Sequence, residues 1–131
     1  MAAIMLTAMI LLVGLTVDGG GKMRADARAD DLAGEAARAA GQAIDPTRAI
    51  PGEAIVVTQS AARKAVDEYL SGQGDVVDHH ADVIDNGRTI VVSVQIRYHT
   101  VVAGFFGKST ILVNGQGRAG LVHGISQPEA P

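Results

Sequence analysis

The hydrophobic and polar positions divide the chain into an apolar N-terminal segment and a mixed remainder. Met1 to Val17 contains no charged residue. At about 1.5 Å per residue, a helix of this length reaches roughly 25 Å, slightly short of a hydrocarbon core of about 30 Å. The pattern predicts a membrane anchor over residues 1–17. Its lipid-facing side chains are those of Ile4, Met5, Leu6, Met9, Ile10, Leu11, Leu12, Val13, Leu15 and Val17.

Two other interpretations of this segment are a buried core helix and a cleaved signal peptide. A helix that is apolar on every side needs more packing partners than a domain of this size supplies. A signal peptide requires basic residues before the apolar stretch and a small-residue cleavage site directly after it, and the sequence has neither. An uncleaved anchor is therefore the prediction. Lys22, Arg24 and Arg28 follow it, and the positive-inside rule would place that flank in the cytoplasm.

The region after the anchor predicts a hinge and then a helix. Each glycine in a helix costs about 1 kcal/mol relative to alanine, so Gly19, Gly20 and Gly21 are predicted to form a hinge at the membrane surface. Lys22 to Gln42 predicts a helix with a narrow face of small residues. Such a face packs either on neighbouring subunits or on the sheet of its own domain. The stripe comprises Met23, Ala27, Leu32, Ala36, Ala40 and Ala43, and the candidate subunit interface within it is Leu32, Ala36 and Ala40.

A second helix and three strands complete the predicted elements. The helix begins at Thr58 or Ser60, either of which can cap it, and ends near Ser71. Asp75 to Asp85 and Thr89 to Val102 alternate apolar and polar residues, with a strong Asn-Gly hairpin signal between them. A glycine-weakened strand from residue 109 to 122 is expected to contain a bulge. The fold class is α+β: an N-terminal transmembrane helix, then helices packed on a three-stranded antiparallel β-meander.

Composition excludes several classes of function. With 11 basic against 14 acidic residues, the net charge of −3 argues against a nucleic-acid partner, which clustered cations would bind. The chain has no cysteine, hence no thiolate nucleophile and no cysteine-ligated zinc. No serine has an adjacent base, so we assign no catalytic, cofactor-binding or metal-binding residue and no small-molecule substrate. Gly115 to Gly120 fits the letters G-x-G-x-x-G, but without the strand and helix that a dinucleotide fold requires it predicts only a relaxed strand.

Two constellations remain open. A zinc or copper site is possible if Asp78, His80 or Asp82 shares a face with His99, and this alternative makes the domain a membrane-tethered ligand or metal sensor. Phe105 and Phe106, flanked by glycines in the second hairpin loop, form either an exposed docking or membrane-contact site or a cap folded back over the sheet. We include both phenylalanines in the candidate subunit interface.

The N-terminal region also resembles a known family. An apolar segment that runs into Asp18-Gly19-Gly20-Gly21 and then Glu35-Ala36-Ala37-Arg38-Ala39-Ala40, followed by a short helix and a valine-rich hairpin, resembles TadE/TadG-type pilus assembly proteins. The resemblance is closest over residues 4–44. It implies a minor pilin or pseudopilin of a tight-adherence (Flp-type) pilus, with the helix in the membrane, a small pilin-like domain outside and no catalysis.

One family feature is missing from the sequence. Several members carry a processing site with a glycine before the apolar helix and a glutamate inside it, whereas the first glutamate here is Glu35. Either this protein is unprocessed or its start lies upstream.

The resemblance and the residue pattern together define the predicted organisation. Residues 1–17 anchor a single-pass protein in the bacterial cell membrane, residues 18–21 form the hinge, residues 22–126 form an extracytoplasmic α+β domain, and residues 127–131 form a disordered tail. The implied partners are membrane lipid, other pilin-like subunits and the assembly machinery. The implied function is structural, within a pilus or secretion apparatus, and acts by subunit packing.

Overall fold

Two helices cover one face of a three-stranded antiparallel sheet in the computed structural model, which describes residues 1–43 and 57–121. Helix α1 spans Ala2–Gly41 and helix α2 spans Gln59–Leu70. Strands β1, β2 and β3 span Val76–Ile84, Thr89–His99 and Thr110–Gly120. Helix α1 packs on β2 and β3, and α2 packs on β1. The predicted α+β class, with its meander order β1-β2-β3, is confirmed.

The central strand β2 provides the largest side chains of the core. Its alternating residues Ile90, Val92, Val94 and Ile96 face the helices, and each is at most 2% exposed. The opposite face of the sheet carries polar side chains such as Gln95, which donates a hydrogen bond to Asn114 at 2.9 Å. The alternation along β2 thus separates a buried face from an open one, as the sequence pattern indicates.

The pairing of β2 with β3 is regular throughout. It runs without a shift from Thr89 opposite Gly120 to His99 opposite Thr110, so the expected bulge in β3 is wrong. The register shift in the described sheet lies in β1 instead, between Val76 and Asp78.

The glycines of β3 have a packing role. A Cβ atom at Gly115 would lie 2.1 Å from the carbonyl carbon of Ala29, and one at Gly117 would lie 2.2 Å from the amide nitrogen of Gly34. The backbone of α1 therefore rests directly on the backbone of β3, which only glycine permits. The facing side of α1 is correspondingly small, and its buried residues here are Ala25, Ala29, Leu32, Ala33, Ala36, Ala37 and Ala40.

The predicted break at the glycine triplet is wrong. Helix α1 continues without interruption through Gly19, Gly20 and Gly21. Helix on both sides removes the nucleation cost, since each further residue adds a backbone hydrogen bond. Gly21 has a packing reason of its own, because a Cβ there would clash with the Tyr98 ring, 2.5 Å from its Cζ. The predicted stripe is also shifted at its start, since Met23 is 73% exposed and Ala25 is buried.

Helix α2 begins as the sequence predicts. The Thr58 hydroxyl is the N-cap and accepts a hydrogen bond from the Ala61 amide at 3.3 Å. The Gln59 side chain then binds β1, donating to the Ala81 carbonyl at 2.5 Å and accepting from the Val83 amide at 2.7 Å. This amide acts like a short piece of neighbouring strand and ties the helix to the sheet edge.

Polar contacts fix α1 to the rest of the domain. The Arg28 guanidinium makes two hydrogen bonds to the Asp75 carboxylate, at 2.5 and 3.1 Å, and this pairing lowers the pKa of Asp75. The Asp30 carboxylate accepts a hydrogen bond from the Gln116 amide at 2.9 Å. Such pairs add little stability when exposed, but they specify how the helix lies on the sheet. The predicted tail 127–131 and the predicted end of the domain at 126 lie outside the described residues.

Candidate membrane and assembly surface

The N-terminal half of α1 projects from the domain with its apolar side chains exposed. The described part of the chain contains one helix that is long enough and apolar enough to cross a membrane, and this helix is α1. Its most apolar stretch has a mean hydropathy of 2.0. The ten predicted anchor side chains are between 39% and 72% exposed. A continuous apolar surface of this kind is unfavourable in water and fits a membrane anchor.

Both threonines of this segment are satisfied within the helix. The Thr7 hydroxyl donates to the Ala3 carbonyl and the Thr16 hydroxyl donates to the Leu12 carbonyl, each at 2.9 Å. In hydrocarbon an unpaired hydroxyl would carry a large desolvation cost, and these bonds remove it. The segment is therefore compatible with lipid on all sides except one.

That one side is a contact with the loop between β2 and β3. A Cβ at Gly14 would lie 2.5 Å from Cγ1 of Val102, so Gly14 is buried under this side chain. An apolar groove of about 240 Å³ lies beside the contact. It is lined by Leu11, Gly14, Leu15, Asp18, Val102, Ala103 and Phe106.

The Asp18 carboxylate fastens the loop to the helix. It accepts hydrogen bonds from three consecutive backbone amides, with nitrogen–oxygen distances of 2.7 Å to Val101, 3.1 Å to Val102 and 2.6 Å to Ala103. These bonds, with that from Ala103 the largest contribution, lower the pKa of Asp18 below its usual value near 3.8. The position that the sequence assigned only to a hinge is thus a point of attachment between the anchor and the domain.

We expect the substitution Asp18→Asn to lower the thermal stability of the detergent-solubilised protein at pH 7. The folded-state pKa of Asp18 is depressed, so its contribution is present above the unfolded value near 3.8 and is lost as the pH falls through the lower folded value. Melting curves of both proteins at pH 7 and pH 3 measure this. The difference in Tm between wild type and variant should shrink in acid, and an unchanged difference would contradict the role of the carboxylate.

The aromatic pair at the loop tip does not fold back over the sheet. Phe105 is 87% exposed and Phe106 is 68% exposed. Of the two interpretations of this pair, the structure therefore favours the exposed surface.

The other candidate interface residues are buried inside their own domain. Leu32 is 5% exposed, and Ala36 and Ala40 are fully buried. They contribute to the core beneath the sheet, so the prediction that they pack on neighbouring subunits is wrong. The small-residue face instead packs closely on the sheet of its own domain, which is the other of the two possibilities that the sequence pattern allows.

The histidines do not converge. His80 lies opposite Ser93 in the sheet, whereas His99 is six positions further along β2, a separation of about 20 Å at 3.4 Å per residue. His79, on the helix-facing side, pairs with Asp67 of α2 at 2.7 Å, and His80 pairs with Asp82 at 3.2 Å. His80 and His99 share the open face of the sheet, as the metal alternative requires, but they lie too far apart along it to bind one metal ion. No group of three or more histidine and carboxylate residues in ranges 1–43 and 57–121 is arranged to hold a metal ion.

Sequence reasoning missed three residues of the junction: Gly14, Asp18 and Tyr98. Asp18 follows directly after the apolar segment, and this position marks it only as the end of that segment. Its partner amides lie more than eighty positions away in the sequence, and no local pattern predicts such a pairing.

A family of Flp pilus-assembly, TadE/G-like proteins has a model that matches residues 1–43 of this chain. The match agrees with the resemblance drawn from the sequence and covers the anchor, the glycine triplet and the small-residue part of α1. No curated protein and no solved structure matches the chain. The family match supports a pilus-associated component with an N-terminal helix that fits a membrane anchor.

Proposed function

We propose that this protein is a minor pilin or pseudopilin of a Tad/Flp-type pilus or secretion apparatus, a non-enzymatic subunit that acts by packing against other subunits. Residues 1–17 hold it in the cell membrane as a single-pass protein, and the α+β domain lies on the extracytoplasmic side. The observation that carries the proposal is the division of α1 into an exposed apolar half and a half buried on the sheet.

This division suits a subunit that leaves the membrane for an assembly. The exposed half of α1 can be covered by lipid before assembly and by the equivalent helices of neighbouring subunits afterwards. Exchanging lipid for apolar side chains changes the hydrophobic free energy little, so the fit between helices decides the outcome. The interface assigned here is thus the apolar half of α1, in place of Leu32, Ala36 and Ala40.

The basic residues that argue for a cytoplasmic domain have partners in the folded protein. Lys22 pairs with Asp26 at 2.8 Å, and Arg28 pairs with Asp75. These contacts give two of the three cations a structural role in the folded domain, which is independent of the side of the membrane on which the domain lies.

Deletion of the gene, followed by electron microscopy and shearing of surface filaments, tests this function. We expect a deletion strain to lose surface filaments and to regain them with the wild-type gene. We also expect the protein in the membrane fraction and, as a minor component, in the sheared filaments. Normal filaments in the deletion strain would contradict the proposal.

The glycines between membrane and domain offer a second prediction. A Cβ at Gly19 or Gly20 meets no atom within 4 Å in the part of the chain that the structure describes. Alanine at both positions is therefore expected to stabilise α1 by about 0.5–1 kcal/mol per site. We expect the double variant to form fewer filaments although its fold is more stable, because alanine stiffens the helix at the predicted hinge.

Gly34→Ala is the matched control for this variant. Gly34 lies in the same helix and also has open space around its Cβ position, but it lies within the domain. It should stabilise the helix without changing the number of filaments. Unchanged filament numbers in the Gly19→Ala/Gly20→Ala variant would show that assembly needs no hinge at these glycines.

A further inference from the structure

The loop between β2 and β3 is an ordered projection. Residues Ala103–Phe106 form a turn of 3₁₀ helix, and the Lys108 amide closes it by donating to the Ala103 carbonyl at 3.1 Å. Gly107 has a φ of 85°, a left-handed conformation that a residue with a side chain adopts only with strain. The backbone thus holds Phe105 and Phe106 outward in a fixed arrangement.

The loop lies alongside the anchor rather than beyond its end. Val102 packs on Gly14, which lies three residues inside the predicted end of the span at Val17. At 1.5 Å per residue this is a depth of roughly 4–5 Å. When residues 1–17 occupy a bilayer, the loop must therefore reach the layer in which headgroups meet acyl chains.

The side chains of the loop suit that layer. Val101 to Gly107 contains no charged residue, and Val101 is 60% exposed beside the two phenylalanines. Lys108, which is also exposed, follows directly and can extend its ammonium group to lipid phosphates. Exposed phenylalanine and aliphatic side chains with a neighbouring cation are typical of segments that lie at the membrane-water interface.

We propose that Phe105 and Phe106 insert into the interfacial layer of the same bilayer that holds the anchor, making a second membrane contact that fixes the tilt of the domain. The inference rests on the membrane anchoring in the proposed function. The partner is the lipid surface, since the aromatic tip and the apolar face of α1 form one continuous apolar region around Leu11 and Leu15. Asp18 then acts as a positioning residue that holds the loop at the correct depth.

Single tryptophan residues test the depth of the loop, because the chain contains no tryptophan. The full chain with Phe106→Trp is reconstituted in phosphatidylcholine and phosphatidylglycerol vesicles that include lipids brominated at shallow positions. Leu12→Trp reports the depth of the anchor in the bilayer. Leu112→Trp is the matched control, because Leu112 is also an exposed apolar residue, 49% exposed, but lies on the open face of the sheet.

We expect shallow bromines to quench the tryptophan fluorescence of Phe106→Trp at least about twice as strongly as that of Leu112→Trp. Deeper bromines should quench the fluorescence of Leu12→Trp. Phe105→Trp provides a second position in case the first variant misfolds, which circular dichroism checks. Adding Asp18→Asn should weaken the shallow quenching of Phe106→Trp, because the loop is released from the helix.

The two failures are distinguishable. If Leu12→Trp is quenched while Phe105→Trp and Phe106→Trp match Leu112→Trp, the anchor holds and the membrane contact of the loop is overturned. That contact is also overturned if a second copy of the chain crosslinks to the tip and shields the loop tryptophans from the bromines, because the tip is then a subunit contact. If Leu12→Trp itself is unquenched, the anchor and the proposed function fail with it.

Discussion

Replacing Gly115 by alanine is expected to destabilise the domain by about 3 kcal/mol or more, at the upper end of the cost of overpacking a core. The added Cβ would lie 2.1 Å from the carbonyl carbon of Ala29 and 2.3 Å from the amide nitrogen of Asp30. These are backbone atoms of a long helix, which cannot rotate away as a side chain can. For a domain near 100 residues, a loss of this size lowers the Tm by roughly 12 °C or more.

Gly120→Ala is the control, since Gly120 belongs to the same strand and its Cβ position meets no atom of residues 1–43 and 57–121 within 4 Å. Its effect on the free energy of unfolding should stay within about 0.5 kcal/mol, as for ordinary surface changes. Thermal melts of both variants in detergent measure the difference. Equal Tm values would mean that α1 does not rest on β3 as described.

The second large effect concerns the anchor. Met9 is the central residue of the predicted span and is 67% exposed. Met9→Arg places a charge at the middle of the bilayer, at a cost of about 3 kcal/mol in insertion. Because each 1.4 kcal/mol is a factor of ten, membrane insertion should become roughly a hundredfold less favourable. Carbonate extraction followed by separation of membrane and soluble fractions measures this loss.

Leu112→Arg makes the same kind of change at an exposed apolar residue of the open sheet face, and it should leave the protein in the membrane fraction. If Met9→Arg is retained as strongly as Leu112→Arg, residues 1–17 do not hold the protein in a bilayer.

Most elements of the fold follow from local patterns. The alternation along β2 predicted which of its residues are buried, and the Asn86-Gly87 signal predicted where the first hairpin turns. Thr58 was one of two predicted caps and is the observed N-cap. In each case, residues a few positions apart determine the outcome, so the sequence pattern is sufficient.

The glycines show where local reasoning stops. Their helix penalty predicted a break at Gly19 to Gly21, and their flexibility predicted a bulge in β3, yet the helix is continuous and the strand is regular. Gly21 and Gly115 are small because an element distant in the sequence passes over them at close range. A single sequence shows that a glycine is present, but only the tertiary structure shows which element packs against it.

The candidate site divides in the same way. The apolar anchor is a property of consecutive residues and could be predicted. The interface through Leu32, Ala36 and Ala40 failed because a small-residue stripe looks the same whether a neighbouring subunit or its own sheet covers it. The attachment of Asp18 to the Val101 to Ala103 amides joins two distant segments, and for that reason no local pattern predicted it.

The orientation of the domain tests the central proposal most directly. The native chain has no cysteine, so single cysteines at Ser60 and Ser71, both exposed and remote from the loop between β2 and β3, report on their own. A membrane-impermeant maleimide is added to intact cells and, in parallel, to lysed cells. The proposal predicts labelling of both positions in intact cells. Labelling that appears only after lysis would place the domain in the cytoplasm, as the positive-inside rule predicts from the basic residues after the anchor. That result would contradict the proposal of a pilin-like subunit.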